Sequence, residues 1–264
     1  MISSLVRTRT RAVALSAVPV VALLVTAAFA PLPFVVAQPG TTADVLGERN
    51  GEPVISIEGA PVRKTSGELR MTTILATGPS TDIGVGDLVD SWFRTDRTVL
   101  PKEAVYPSGK SDKQIEKINQ KAMEESQNDA AEAALGYLGE DPAKVKVSLE
   151  LEDIGGPSAG LLFSLGIVDK LDGDGAGGDL TGGRTIAGTG TIDPDGKVGP
   201  VGGVSLKTQA AKRDGATVFL VPEDECSDAV AERPEGLRLV PVASLKGAVD
   251  ALRALAKGER VPAC

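Results

Sequence analysis

The chain has 264 residues, 42% hydrophobic and 24% charged, which is enough apolar material for a folded core and excludes a disordered chain. A net charge of −8, an aromatic content of 3% and no clustered basic face exclude a phosphate-binding or base-stacking surface, so no nucleic-acid partner is expected. Histidine is absent, which removes a Ser-His-Asp triad, a His-ligated zinc and a histidine general base from consideration.

Residues 1–11 carry Arg7, Arg9 and Arg11, and an uncharged, strongly apolar run follows from Ala12 to Gln38. Its length predicts a transmembrane helix over 12–38. With the positive charge on the N-terminal side, residues 1–11 are expected in the cytoplasm and everything after about Pro39 on the extracytoplasmic side. A cleaved signal peptide is the competing reading, since Ala28-Phe29-Ala30 and Val35-Val36-Ala37 both offer small residues for cleavage. Residues 39–66, rich in Pro, Gly, Thr and Glu, are expected to be an extracytoplasmic linker with one short apolar run at Val54, Ile55 and Ile57. An α/β domain is expected over 67–256, and a C-terminal tail over 257–264.

Within that domain, Leu69 to Ala76 reads as a strand and Ile83 to Phe93 as a short helix whose Trp92 serves packing. Val99 to Lys110, with Pro101 and Pro107, reads as a loop. Ser111 to Leu138 is the longest helical pattern, with Ile115, Ile118, Ala122, Ser126, Ala130, Ala133 and Ala134 recurring at three- and four-residue spacings. Val145 to Leu151 alternates apolar with polar residues, the period of a half-buried strand. Leu161 to Leu171 is nearly all apolar and predicts a buried helix.

Leu171 to Asp179 has a calcium loop's first two aspartates, but Ala176 and Gly183 occupy ligand positions, so a glycine-rich turn is expected and no metal. Gly178 to Thr185 falls short of a phosphate-binding loop because Arg184 stands where the lysine belongs, so no nucleotide cofactor is expected. Strands are predicted at Thr185–Ile192, Val198–Val201, Thr217–Val221 and Leu237–Val242, and helices at Val204–Arg213 and Leu245–Leu255. The two cysteines, Cys226 and Cys264, are predicted to pair in an oxidising compartment, two free thiols being the alternative.

Chemistry is suggested by Gly155-Gly156-Pro157-Ser158-Ala159-Gly160, which falls between the Val145 strand and the Leu161 helix. Glycines let the backbone approach a ligand, Pro157 suits a first helical position, and first-turn N–H groups can hold an oxyanion. Ser158 then reads as a nucleophile, although a serine that merely caps its own helix fits the same hexapeptide. Without histidine its base must be another group, and a lysine among apolar neighbours qualifies because desolvation lowers its pKa. Lys207 has Gly203, Val204, Ala210 and Ala211 three and four residues away, whereas Lys212 has polar neighbours. A snorkelling surface lysine is the alternative for Lys207.

Gly156-Pro157-Ser158-Ala159-Gly160, Gly188-Thr189-Gly190 and Gly196 to Lys207 resemble, in order and spacing, the proteolytic domain of the Lon proteases. Met123-Glu124-Glu125-Ser126-Gln127 is similar to the helix that precedes the serine there. The resemblance covers roughly Gly67 to Leu255 and implies the Lon proteolytic fold, a mixed sheet with packed helices. It implies Ser158 as nucleophile, Lys207 as general base and Thr189 as the hydroxyl that holds the lysine, with Gly156, Pro157 and Ala159 supporting the turn.

Within the family the chain looks most like the membrane-anchored, ATP-independent Lon-like proteases of Gram-positive bacteria. Those often carry a PDZ module near Leu138 to Val145, where this chain has no room for one. The implied partners are protein or peptide substrates, the membrane, and further copies of the chain, since Lon domains commonly form hexamers. Gly155 and Thr191 replace an aspartate and a glutamate found in many Lon enzymes. They keep open a non-catalytic Lon-fold binding scaffold as the second reading; a small-molecule Ser-Lys amidase lacks its characteristic second serine here.

Overall fold

The computed structural model describes residues 13–14, 16–26, 30–107, 109–151 and 156–264. These form two compact units, 1–37 with 76–109 and 38–75 with 110–264.

In the N-terminal unit, residues 16–26 are helical, and among the described residues no helix is long and apolar enough to cross a membrane. Ala12, Leu15 and residues 27–29 of the apolar run lie outside the described residues. The run expected to be one helix over 12–38 gives way at Phe34 to strand β1 (Phe34–Asp44). Its apolar end, with Val35 and Val36, pairs antiparallel with β6 (Thr98–Pro101), Phe34 opposite Pro101 and Ala37 opposite Thr98. Val35 and Ala37 are buried there. Leu32 forms an isolated bridge to Ile83, its N–H donating to the Ile83 carbonyl at 2.8 Å. Helix α1 (Val85–Trp92) follows, with the Asp87 carboxylate accepting from the Gly84 N–H at 2.9 Å. The loop expected over 99–110 is corrected: it holds β6 and the one-turn helix α2 (Lys102–Val105). Pro101 sits at the edge-strand end, where no ladder donor is needed, so proline is no obstacle.

The second unit is built on a sheet of order β12-β11-β8-β5-β1. Strands β5 (Glu68–Ala76), β8 (Thr185–Gly188), β11 (Val218–Pro222) and β12 (Arg238–Val242) run parallel, joined by helical crossovers as parallel neighbours require. Helix α3 (Asp112–Leu138) ends on Gly139 at φ 70°, the left-handed stop that glycine adopts freely. Its buried Ala130, Ala133 and Ala134 let α4 (Gly160–Leu171) approach closely, and Ser164 Oγ of α4 donates to the Ala130 carbonyl at 3.1 Å. Helix α4 carries apolar residues on all its faces because it is enclosed: Leu161, Leu162, Phe163, Leu165, Ile167 and Val168 have no exposed surface, and the few polar residues include the buried Ser164 and Asp169. Helices α3 and α7 (Leu245–Ala256) pack against it. Helices α5 (Val204–Arg213) and α6 (Cys226–Ala231) cover a smaller cluster with Phe219, Val221 and Leu239.

The linker expected over 39–66 is also corrected. It contributes the rest of β1, the pair β2 (Glu48–Arg49) and β3 (Glu52–Pro53), and β4 (Ile55–Glu58). Strand β4 pairs antiparallel with β7 (Lys146–Leu149), and Val45, Leu46, Val54 and Ile55 join the main core. The second unit therefore starts near Gln38 rather than Gly67. The aspartate-bearing turn after α4 is filled by protein: the Arg63 guanidinium donates to the carbonyls of Asp169, Gly177 and Gly178 at 2.9, 3.0 and 2.9 Å.

Candidate active site

The strand expected over Thr185–Ile192 breaks in two, β8 and β9 (Thr191–Ile192), with Thr189 and Gly190 between them. Gly190 has φ 154°, and this break places Thr189 against the Ser158 turn. The Gly190 N–H donates to the Ser158 carbonyl at 3.0 Å, and the Leu161 N–H donates back to the Gly190 carbonyl at 3.2 Å. Ser158 lies in a single 3-10 turn, Pro157–Ala159, that runs straight into α4. Gly160 has no room for a side chain: a Cβ there would meet Ser126 Oγ at 2.9 Å, Ile192 Cγ2 at 3.0 Å and the Ile192 nitrogen at 3.2 Å. The glycine thus lets the serine turn lie against both α3 and β9.

From the other side, α5 carries Lys207 inward, 3% exposed. Its Nζ donates to Thr189 Oγ1 at 3.0 Å, and that hydroxyl donates onward to the Ser158 carbonyl at 3.2 Å. One hydroxyl thereby fixes the lysine head beside the serine backbone. Burial pushes the Lys207 pKa down from 10.5 to about 8, the negative Glu225 partly opposing it. Loss of solvation disfavours the ammonium, so a neutral amine is accessible close to neutral pH. The alternative of a snorkelling surface lysine is excluded by this burial. An open cleft joins these groups, lined by Thr73, Ile74, Pro157, Ser158, Thr191, Pro200, Val201, Gly202 and Lys207.

Of the other residues singled out in the sequence, Pro157 and Ala159 belong to the Ser158 turn, and Gly156 precedes it at φ 112°. Gly155 lies outside the described residues. Cys226 and Cys264 are joined by a disulfide and do not line the cleft. Thr191, unlike the glutamate of many Lon enzymes, lines the cleft as a neutral hydroxyl.

Two contributors are not evident from sequence patterns. Ser126 of α3, within the Met123 to Gln127 segment that resembles the Lon helix, donates to the Pro157 carbonyl at 3.0 Å and steadies the serine turn from below, a role its sequence context does not give. Glu225 accepts from the Val201 N–H at 3.0 Å and so holds the 200–202 segment that lines the cleft. Burial raises its pKa, with the Val201 N–H and Lys207 pulling it back. In sequence it is the third of three consecutive acids, Glu223 to Glu225, a pattern that otherwise marks a solvated surface.

A serine on a tight turn and a desolvated lysine, held to that turn's backbone by the Thr189 hydroxyl, are groups able to perform acyl transfer without histidine. Residues 152–251 match the model of the Lon protease (S16) C-terminal proteolytic domain. The mixed sheet with its packed helices fits that domain.

Among curated proteins, a Lon protease of Chloroflexus aggregans is 29% identical over 218 residues, covering 75% of this chain and 25% of its own length. Lon protease 2 of Bacillus subtilis is 27% identical over 143 residues, 52% of this chain and 24% of its own. A Lon protease of Azospirillum brasilense is 37% identical over 94 residues, 34% of this chain and 11% of its own. The chain spans about a quarter, or less, of the length of these relatives.

Proposed function

We propose that this chain is a membrane-anchored, ATP-independent Lon-like serine endopeptidase acting on the extracytoplasmic side through a Ser158-Lys207 dyad. The observation that carries the reading is the buried Lys207 amine, linked through Thr189 to the Ser158 backbone. Ser158 Oγ attacks the scissile carbonyl while neutral Lys207 takes its proton, and the resulting ammonium gives that proton to the leaving amine. Water then attacks the acyl-enzyme; Lys207 accepts its proton and returns one to Ser158 Oγ as the ester breaks. Backbone N–H groups around Ser158 stabilise the oxyanion; the amides of Gly160 and Leu161 are already bonded to Pro157 and Gly190. These steps call on no metal or nucleotide. Ile74, Pro200 and Val201 give the cleft an apolar wall that favours an apolar substrate side chain.

Anchoring and topology rest on Arg7, Arg9 and Arg11 ahead of the uncharged run from Ala12, and the disulfide suits an oxidising compartment. Assembly into a hexamer is the state we propose by analogy with Lon domains. The test is incubation of the chain with an unfolded protein, followed by mass analysis of the peptides released. Cleavage that vanishes in Ser158→Ala, together with labelling of Ser158 by a serine-reactive phosphonate, is the expected result. Absence of both in the unmutated protein would favour the non-catalytic binding scaffold instead. Protease added to intact protoplasts is expected to shave the residues after Pro39; their protection would reverse the topology.

A further inference from the structure

Helix α1 is inside out for a helix packed on a small domain. Its one buried residue is the polar Ser91, whose Oγ donates to the Asp87 carbonyl at 2.7 Å. Val85, Val89, Trp92 and the following Phe93 are 38, 53, 85 and 83% exposed. Positions 85, 89 and 92 are spaced by four and three residues, so they share one face, and Phe93 borders it. Asp87 and Asp90 lie on the other side of the helix, where Asp87 caps Gly84 and Asp90 pairs with Arg97 at 2.6 Å. Arg94 is likewise paired with Asp96, at 2.8 Å. The charges thus pair beside an apolar face that no described residue of the unit covers. Two aromatic rings at this exposure present roughly 300 to 400 Å² to solvent, as much as the largest patch of a typical monomer.

Trp92 therefore does not serve packing, as its sequence context suggests. The unit ties this helix to the end of the apolar run: Leu32, where the chain turns toward β1, donates to Ile83, and α1 begins two residues later. Ile83 itself is buried, so the attachment is firm. Eight helical residues span about 12 Å, so the aromatic pair stays within one short helix of the point where the apolar run ends.

We infer that α1 lies in the lipid headgroup interface, with Val85, Val89, Trp92 and Phe93 inserted and the paired acids facing water. This rests on the membrane-anchor reading given under Proposed function. Tryptophan and phenylalanine beside a membrane entry point match the aromatic belt of such interfaces. With Asp82, Asp87, Asp90 and Asp96 against Arg94 and Arg97, the segment has no basic excess. Insertion is then apolar, and anionic lipid is not required.

Trp92 is the chain's single tryptophan, so its fluorescence reports this helix alone. The experiment reconstitutes the full chain into phosphatidylcholine vesicles, with and without lipid nitroxide-labelled near the headgroup. The expected result is flotation with the vesicles, a blue-shifted Trp92 emission, severalfold weaker acrylamide quenching than in denatured chain, and strong nitroxide quenching. Phe93→Asp should return Trp92 to a water-like spectrum while the protein still floats. Flotation with Trp92 open to acrylamide and untouched by nitroxide would overturn the inference and leave the anchor standing. Failure to float would remove the anchor reading and this inference with it. Shielding from acrylamide without nitroxide quenching, growing with protein concentration, would assign the face to a second copy of the chain and overturn the lipid assignment.

Discussion

Replacing Lys207 with methionine should remove peptidase activity and make the protein more stable at neutral pH. In the folded chain the lysine pKa falls to about 8 from 10.5, so at pH 7 its protonated form is disfavoured relative to the unfolded chain. That lowering corresponds to at most about 3.5 kcal/mol. Because the folded pKa is the lower one, the unfolded chain binds more protons between pH 8 and 10.5, and stability rises across that window. Methionine fills a similar volume without charge, and Thr189 Oγ1 still donates to the Ser158 carbonyl. Urea unfolding of both proteins, with the disulfide intact, should give a methionine variant more stable by about 2 to 3 kcal/mol at pH 7. That advantage should shrink toward zero as pH approaches 10.5. Equal stability at pH 7, or an advantage that does not change with pH, would show that Lys207 is not held as a desolvated cation. The mechanism's source of a neutral amine would then be lost.

Thr189→Val removes the hydroxyl between Lys207 and the Ser158 carbonyl; peptidase turnover should fall by about 10²-fold or more, and loss of the acceptor for the buried Lys207 amine should cost about 1 to 3 kcal/mol in urea unfolding. Glu225→Gln keeps an acceptor for the Val201 N–H but loses the charge that raises the Lys207 pKa; the rise of activity with pH should therefore move to lower pH. An unmoved pH profile would mean that Glu225 does not act on the lysine. Reducing the Cys226 to Cys264 disulfide, which closes a separation of 38 residues, should cost about 2 to 4 kcal/mol of stability in urea unfolding.

The parts of this protein legible in its sequence are those fixed by neighbours close in the chain. Helix α3 shows in the spacing of Ile115, Ala130 and Ala134, and α4 in a nearly all-apolar run; Lys207 stands out because the residues one turn away are small or apolar. The absence of histidine by itself leaves lysine as the base that a serine nucleophile here would need. Tertiary structure alone decided what depends on partners far away. Residues 39–66 read as a linker because Ile55 and Ile57 have too few apolar neighbours nearby; they become strand β4 only by pairing with Leu149 and Val147. A fully paired strand buries its backbone polar groups at no net loss, and local composition does not reveal which partner will arrive. The break at Thr189 and Gly190 looks like continuous strand until the Ser158 carbonyl claims the Gly190 N–H. Trp92 points away from its own unit because Ile83 and Ser91 already face inward, and no pattern within eight residues separates a covered tryptophan from an exposed one. Glu225 reaches the cleft only because β11 carries Pro222 past the end of β8, which sets an otherwise ordinary acid under Val201.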